Sequence, residues 1–218
     1  ASDDLYSCQT RTLQLPWRAL PGENVRYTIY PCSERSLTLT HYGCNCNRSD
    51  SHLLSKMTRA AWSQNLLLAL EQFGEEGQIY ASYLRARKTY IGFWKVRKNV
   101  SAFWTPLGTI YLNAVEYSLE SNPADPRLLT LLIHEVKHLQ QGLVTALSVY
   151  GELEAWQLQF RLYHQKTNAR MNSSIRKLLA LPFGWDRDVL KQAGVFMQEY
   201  AGKGYRADLL PLYPLGKE

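Results

Sequence analysis

Hydrophobic positions change their period twice along the chain. Over the first fifty residues apolar side chains alternate in short runs at 13–15, 25–30 and 36–41, broken by Pro16, Pro21, Gly22 and Gly43, the pattern of short strands joined by turns. From Ser51 the spacing becomes helical through Leu54, Met57, Ala61 and Leu68, which predicts a helix near 52–73 with Ser51 as cap and Gly74 as stop. Residues 78–84, 89–96 and 109–113 are rich in Tyr, Ile, Val, Phe and Trp, and predict a sheet of three or four strands. Asp125-Pro126 then gives an N-cap and a first-turn proline. The following Leu128, Leu129, Leu131, Leu132, Ile133, Val136 and Leu139 run to Gly142, a helix apolar nearly all round and therefore buried. Further helices are predicted from about Ser148 to Gln165 and from Asp186 or Asp188 to Gly202, with an extended tail at 210–214.

These elements imply an α+β protein in three parts: an N-terminal β subdomain over 1–50, a core over 51–168, and a C-terminal helical segment with its tail over 169–218. Composition narrows the class. Of the 218 residues 45% are hydrophobic and 20% charged, which excludes a disordered or low-complexity chain, and no apolar run reaches the length of a membrane span. Lys and Arg number 25 against 19 Asp and Glu, a mild excess that favours acidic partners but is too small for a dedicated nucleic-acid binder. All four cysteines, Cys8, Cys32, Cys44 and Cys46, fall in the first 46 residues. Cys44 and Cys46 are too close to bridge each other, so the expected disulfides join Cys8 and Cys32 to Cys44 and Cys46 in one order or the other. Such a staple and a start without Met suggest a secreted or periplasmic protein, and the acceptor patterns at Asn47, Asn99 and Asn172, short enough to arise by chance, add little.

The chemistry is concentrated in the buried helix, which reads His134-Glu135-Val136-Lys137-His138. Histidines four apart differ by about 40° around a helix and stand one turn apart, so both imidazoles can face one metal ion. Glu135 points about 100° from His134, where it can take a proton from an attacking water and return it to a leaving amine. Zinc with one open position needs a third protein ligand. Glu152 and Glu154 both begin the next helix, and they diverge by about 200°, so only one can face the metal.

Here the sequence resembles the gluzincin group of zinc metallopeptidases, in which the helix after H-E-x-x-H donates a glutamate. The resemblance covers residues 51–168. It assigns the third ligand to Glu152, with Ala155 three residues on, and leaves Glu154 as the alternative. It also implies a zincin-like core of helix, sheet, H-E-x-x-H helix and glutamate helix, with strand 109–113 as the sheet edge beside the cleft. Trp156 stands where many relatives carry an aspartate that orients a zinc histidine. Candidates for an oxyanion donor are Tyr150, Tyr163, His164, Tyr200 and Tyr205.

The leading expectation is thus a zinc-dependent metallopeptidase, an endopeptidase acting on peptide or protein substrates, with His134, His138 and Glu152 on the metal and Glu135 as general base. Two other classes compete with it. One is a zinc-binding scaffold without proteolysis. The other is a basic binding module built on a hairpin at 85–98, where Arg85, Arg87, Lys88, Lys95, Arg97 and Lys98 alternate with Tyr90, Phe93 and Trp94.

Overall fold

The computed structural model describes residues 57–97, 99–202, 204–214 and 216. The N-terminal β subdomain, its cysteines and the start of the helix expected at 52–73 lie outside the described residues. Thr58 opens the first helix, α1 (Arg59–Glu71), its side-chain hydroxyl accepting from the Ala61 N–H at 3.2 Å. Trp62, Leu66 and Leu70 form its fully buried stripe.

Residues 78–84 are helical, not a strand: they belong to α2 (Glu75–Arg87). The buried positions are Gly77, Tyr80, Ala81 and Leu84, a three-and-four spacing that outweighs the β preference of the individual side chains. Glu75 and Glu76 at its start and Arg85 and Arg87 at its end suit the helix dipole. Gly77 is required by close approach, since a Cβ there would lie 2.0 Å from the Leu70 carbonyl oxygen.

The sheet has three strands, β1 (Ile91–Trp94), β2 (Ala102–Trp104) and β3 (Ile110–Asn113), in the order β1-β3-β2. β1 runs parallel and β2 antiparallel to β3. The strand expected at 109–113 is therefore central, and the edges are β1 and β2, of which β2 was not revealed by the sequence pattern. The 85–98 segment is not a hairpin, because it consists of the end of α2, a left-handed turn at Lys88 and β1. Ile91 and Phe93 face inward, and Phe93 packs on Trp62. The outer face gathers Tyr90, Trp94, Phe103 and Tyr111 around Gly92. Aromatic side chains thus cover both faces, where alternation alone suggested charge outside and rings within.

Four helices of more than one turn follow: α3 (Pro126–Gln141), α5 (Val149–Thr167), α6 (Ser173–Ala180) and α7 (Arg187–Ala201), with the one-turn α4 (Leu143–Ala146) between α3 and α5. Asp125 caps α3 as expected, its carboxylate accepting from the Arg127 N–H at 2.9 Å. α3 and α5 carry the two apolar clusters between them. One packs α1, α2 and the sheet against Leu128, Leu129, Leu132, Ile133 and Val136; the other packs Val149, Leu153 and Trp156 of α5 against α6 and α7. No helix among the described residues is long and apolar enough to cross a membrane.

β2 owes its place to one buried side chain. The Asn113 amide donates to the carbonyls of Val100 at 2.7 Å and Arg97 at 3.3 Å, and its oxygen accepts from the Val115 N–H at 3.1 Å. These bonds fold the loop that delivers Ser101 to the sheet. Asn113→Ala leaves the part-buried backbone groups of Arg97, Val100 and Val115 without their side-chain partner and is expected to cost about 3 kcal/mol. In thermal unfolding this is a Tm lowered by roughly 6–12 °C for a domain of this size.

Candidate metal centre

His134 and His138 project from one face of α3, and Glu152 meets them from the first turn of α5. The two Nε2 atoms lie 2.9 Å apart. Glu152 Oε2 is 3.8 Å from His134 Nε2, and Oε1 is 3.6 Å from His138 Nε2. Ligand atoms about 2.1 Å from a tetrahedral ion are separated by roughly 3.4 Å, a spacing these three distances straddle. Among the described residues this is the group of His, Cys, Asp and Glu side chains that can hold a metal ion.

Two of the three ligands, His138 and Glu152, are oriented by hydrogen-bonded partners. His138 Nδ1 lies 3.0 Å from Gln141 Oε1. The other end of that amide faces two acceptors, the Gly151 carbonyl and Glu154 Oε2, both at 2.9 Å, so it must be the NH2 group. His138 Nδ1 therefore carries the proton and Nε2 presents its lone pair to the site. Glu154 in turn holds Lys137 at 2.6 Å. Glu154 thus serves behind His138 and does not face the metal site, which removes it as the alternative ligand. Trp156 takes another role: its indole N–H donates to Glu152 Oε2 at 3.0 Å, and the Tyr205 hydroxyl donates to the same oxygen at 2.9 Å. With Oε2 saturated, Oε1 is left for a cation.

The start of α5 is built to hold Glu152 in place. The Val149 and Tyr150 N–H groups donate to the carbonyls of Pro211 and Leu212 in the C-terminal tail, and the Gly151 N–H donates to Ser148 Oγ. Gly151 admits no side chain, because a Cβ would lie 2.1 Å from the Thr145 carbonyl oxygen. The helix N-terminus also favours the carboxylate placed there.

Burial sets the electrostatics. His134, Glu135 and His138 are each less than 9% exposed. Burial, followed by the charge of His138, pulls the His134 imidazole well below its usual range, although the Ala155 backbone and Gln159 beside it favour protonation. His134 Nδ1 itself is buried without a hydrogen bond. Burial first, and the Glu152 charge second, push Glu135 up to about 8, against the opposing pull of the Trp104 backbone. Two imidazole nitrogens and a carboxylate oxygen converge here, with a second carboxyl group beside them, and a divalent ion with nitrogen and oxygen preference fits that donor set.

Of the proposed oxyanion donors only Tyr205 reaches the site. Tyr150 stacks on Trp185 with centroids 3.8 Å apart, His164 bonds the Ala169 carbonyl, Tyr200 packs edge-on against Trp156, and Tyr163 accepts from Arg127 at 3.2 Å. The roles of Gln141 and the C-terminal tail were not evident from the sequence. Gln141 has a local signal in its position three residues after His138; the tail has none. No protein-family model matches this chain, and neither curated proteins nor solved structures yield a match.

Replacing Glu152 by Ala is expected to abolish stoichiometric metal uptake, measured by elemental analysis after dialysis. Glu154→Ala should retain the metal with affinity weakened about tenfold, as for other partners behind a ligand. Metal-free protein should lose stability as pH rises from about 4.5 towards 8, because the folded state holds the Glu135 proton longer than the unfolded chain. His134 adds a loss in the opposite sense, below its ordinary value near 6.5. Glu135→Gln should abolish the alkaline loss and keep the acid one in Tm measured across that range.

Proposed function

We propose that this chain is a zinc-dependent metallopeptidase of the gluzincin type, working outside the cytoplasm as an endopeptidase. One observation carries the reading: His134, His138 and Glu152 converge on a single point with Glu135 beside them, at the floor of a cleft of about 930 Å³. A metal ion held by those three residues supplies Lewis acidity to the scissile carbonyl and to the attacking water.

The remaining steps belong to the chain. Asn113 N–H donates to the Ser101 carbonyl and Thr105 N–H to the Thr109 carbonyl, so the odd residues of the β2 edge pair with β3. The backbone groups of Ala102 and Trp104 consequently face away from the sheet, on the side of α3. An extended substrate can add along that edge by main-chain hydrogen bonds, which hold its amide without regard to side chain. Glu135 lies below with its carboxyl group desolvated and close to the Trp104 backbone. It takes the proton of the attacking water and passes it to the amide nitrogen as the C–N bond breaks. Tyr205 keeps Glu152 on the metal side through its hydroxyl.

Glu135→Gln should keep one metal per chain and lower hydrolysis of an unfolded protein substrate about a thousandfold, the scale of general-base loss. Chelation should abolish the activity and zinc restore it. Full metal content with no cleavage of a broad peptide library by the wild type would leave a metal-binding scaffold and sink the peptidase reading.

A further inference from the structure

The cleft does not end at the metal centre. A second hollow of about 480 Å³ shares Trp104, Pro106, His138 and Leu143 with it, so the two adjoin beside the ligands as a longer and a shorter arm. Arg87 and Lys88, from the end of α2, line the shorter arm. Arg127 and Arg170 line the longer one. Among the described residues none of these four cations has a carboxylate within 4.0 Å. Two are steadied by aromatic rings: Arg127 Nε donates to the Tyr163 hydroxyl at 3.2 Å, and the Arg87 guanidinium lies 5.8 Å from the Tyr83 ring centroid. Apart from Glu135 and Glu152 at the centre, Glu116 is the acidic side chain on the described walls.

Spacing relates these charges to the cleaved bond. Arg127 precedes His134 by seven residues on α3, which is the same helix face about 10 Å along the axis. An extended chain covers that distance in about three residues. We propose that the groove selects acidic polypeptide segments, with aspartate or glutamate about three residues from the scissile bond towards Arg127 and further acidic residues towards Arg87 and Lys88. This rests on the peptidase reading for the meaning of the groove. The mild excess of basic residues in the chain acts in the same direction, by drawing acidic chains to the surface before they dock.

The test separates binding from cleavage. Three fluorescent peptides with one common central sequence, flanked by Glu, Gln or Lys, are titrated by anisotropy against zinc-loaded full-length Glu135→Gln protein and incubated with the zinc-loaded wild type. The Glu peptide is expected to bind about tenfold more tightly than the Gln peptide at low salt, an advantage that shrinks as salt rises. Arg127→Glu with Arg170→Glu should reverse the order and favour the Lys peptide, a gain that an unfolded variant cannot show. Equal binding of the three peptides, or an unchanged order in the reversed variant, overturns the proposal. If the wild type cuts all three at equal rates, selectivity falls while the peptidase reading stands. If none is cut but the Glu preference and its reversal hold, the acidic groove stands and the peptidase reading falls.

Discussion

The arrangement of this protein depends on holding two carboxylates and two imidazoles inside a packed helical layer. Glu135 and Glu152 share a site with His134 and His138 where water is largely excluded, and each group there is costly unless another compensates it. Hydrogen bonds meet part of the demand. Glu152 receives two donors and His138 one acceptor, but His134 Nδ1 is unbonded and two Nε2 atoms face each other at 2.9 Å. A divalent cation would take a lone pair from each Nε2 and balance the negative charge of the carboxylates. Without it, Glu135 retains its proton into the alkaline range.

That demand explains features that look unrelated. Gly151 is bare because α5 must start against the Thr145 carbonyl for Glu152 to reach the histidines. The C-terminal tail lies across the start of α5, where its carbonyls at 211 and 212 satisfy the first N–H groups. Asn113 folds the loop before β2 and so places the Trp104 backbone beside Glu135. In the last two cases a distant stretch of chain fixes the position of a group that its own element could not hold alone.

What could be read from the sequence divides along the same line. α3 and α5 were legible to within a residue or two, because an N-cap, a first-turn proline and a sustained helical period are local signals, and the histidine spacing is a property of one helix. Residues 78–84 were misread because Tyr and Ile have strand preference, while the deciding facts, Gly77 against the Leu70 carbonyl and the burial of Tyr80, Ala81 and Leu84, are tertiary. β2 escaped notice because three residues carry no period, and the edge role expected at 109–113 passed to it. Helix phase separated Glu152 from Glu154 but could not say which one faced α3. That choice is made by Lys137 and Gln141, which draw Glu154 behind His138.

Lys137 and Trp156 show how charge is distributed around the ligands. The Lys137–Glu154–Gln141 chain ends on the proton of His138 Nδ1, so its two charges cancel at the rim while the amide in contact with the ring is neutral. A carboxylate in direct contact with that ring would add a further acidic group near a centre that already holds Glu135 and Glu152. Trp156 and Tyr205 follow the same logic on the other side, since both donate to Glu152 and neither brings a charge. Neutral donors and acceptors next to the ligands, with ionic partners one step further out, let the site be oriented tightly without changing the charge that the cation must balance. The absence of an aspartate at position 156 is therefore compatible with an ordered site: orientation of His138 is supplied from within its own helix by Gln141, and position 156 is left to hold the carboxylate ligand.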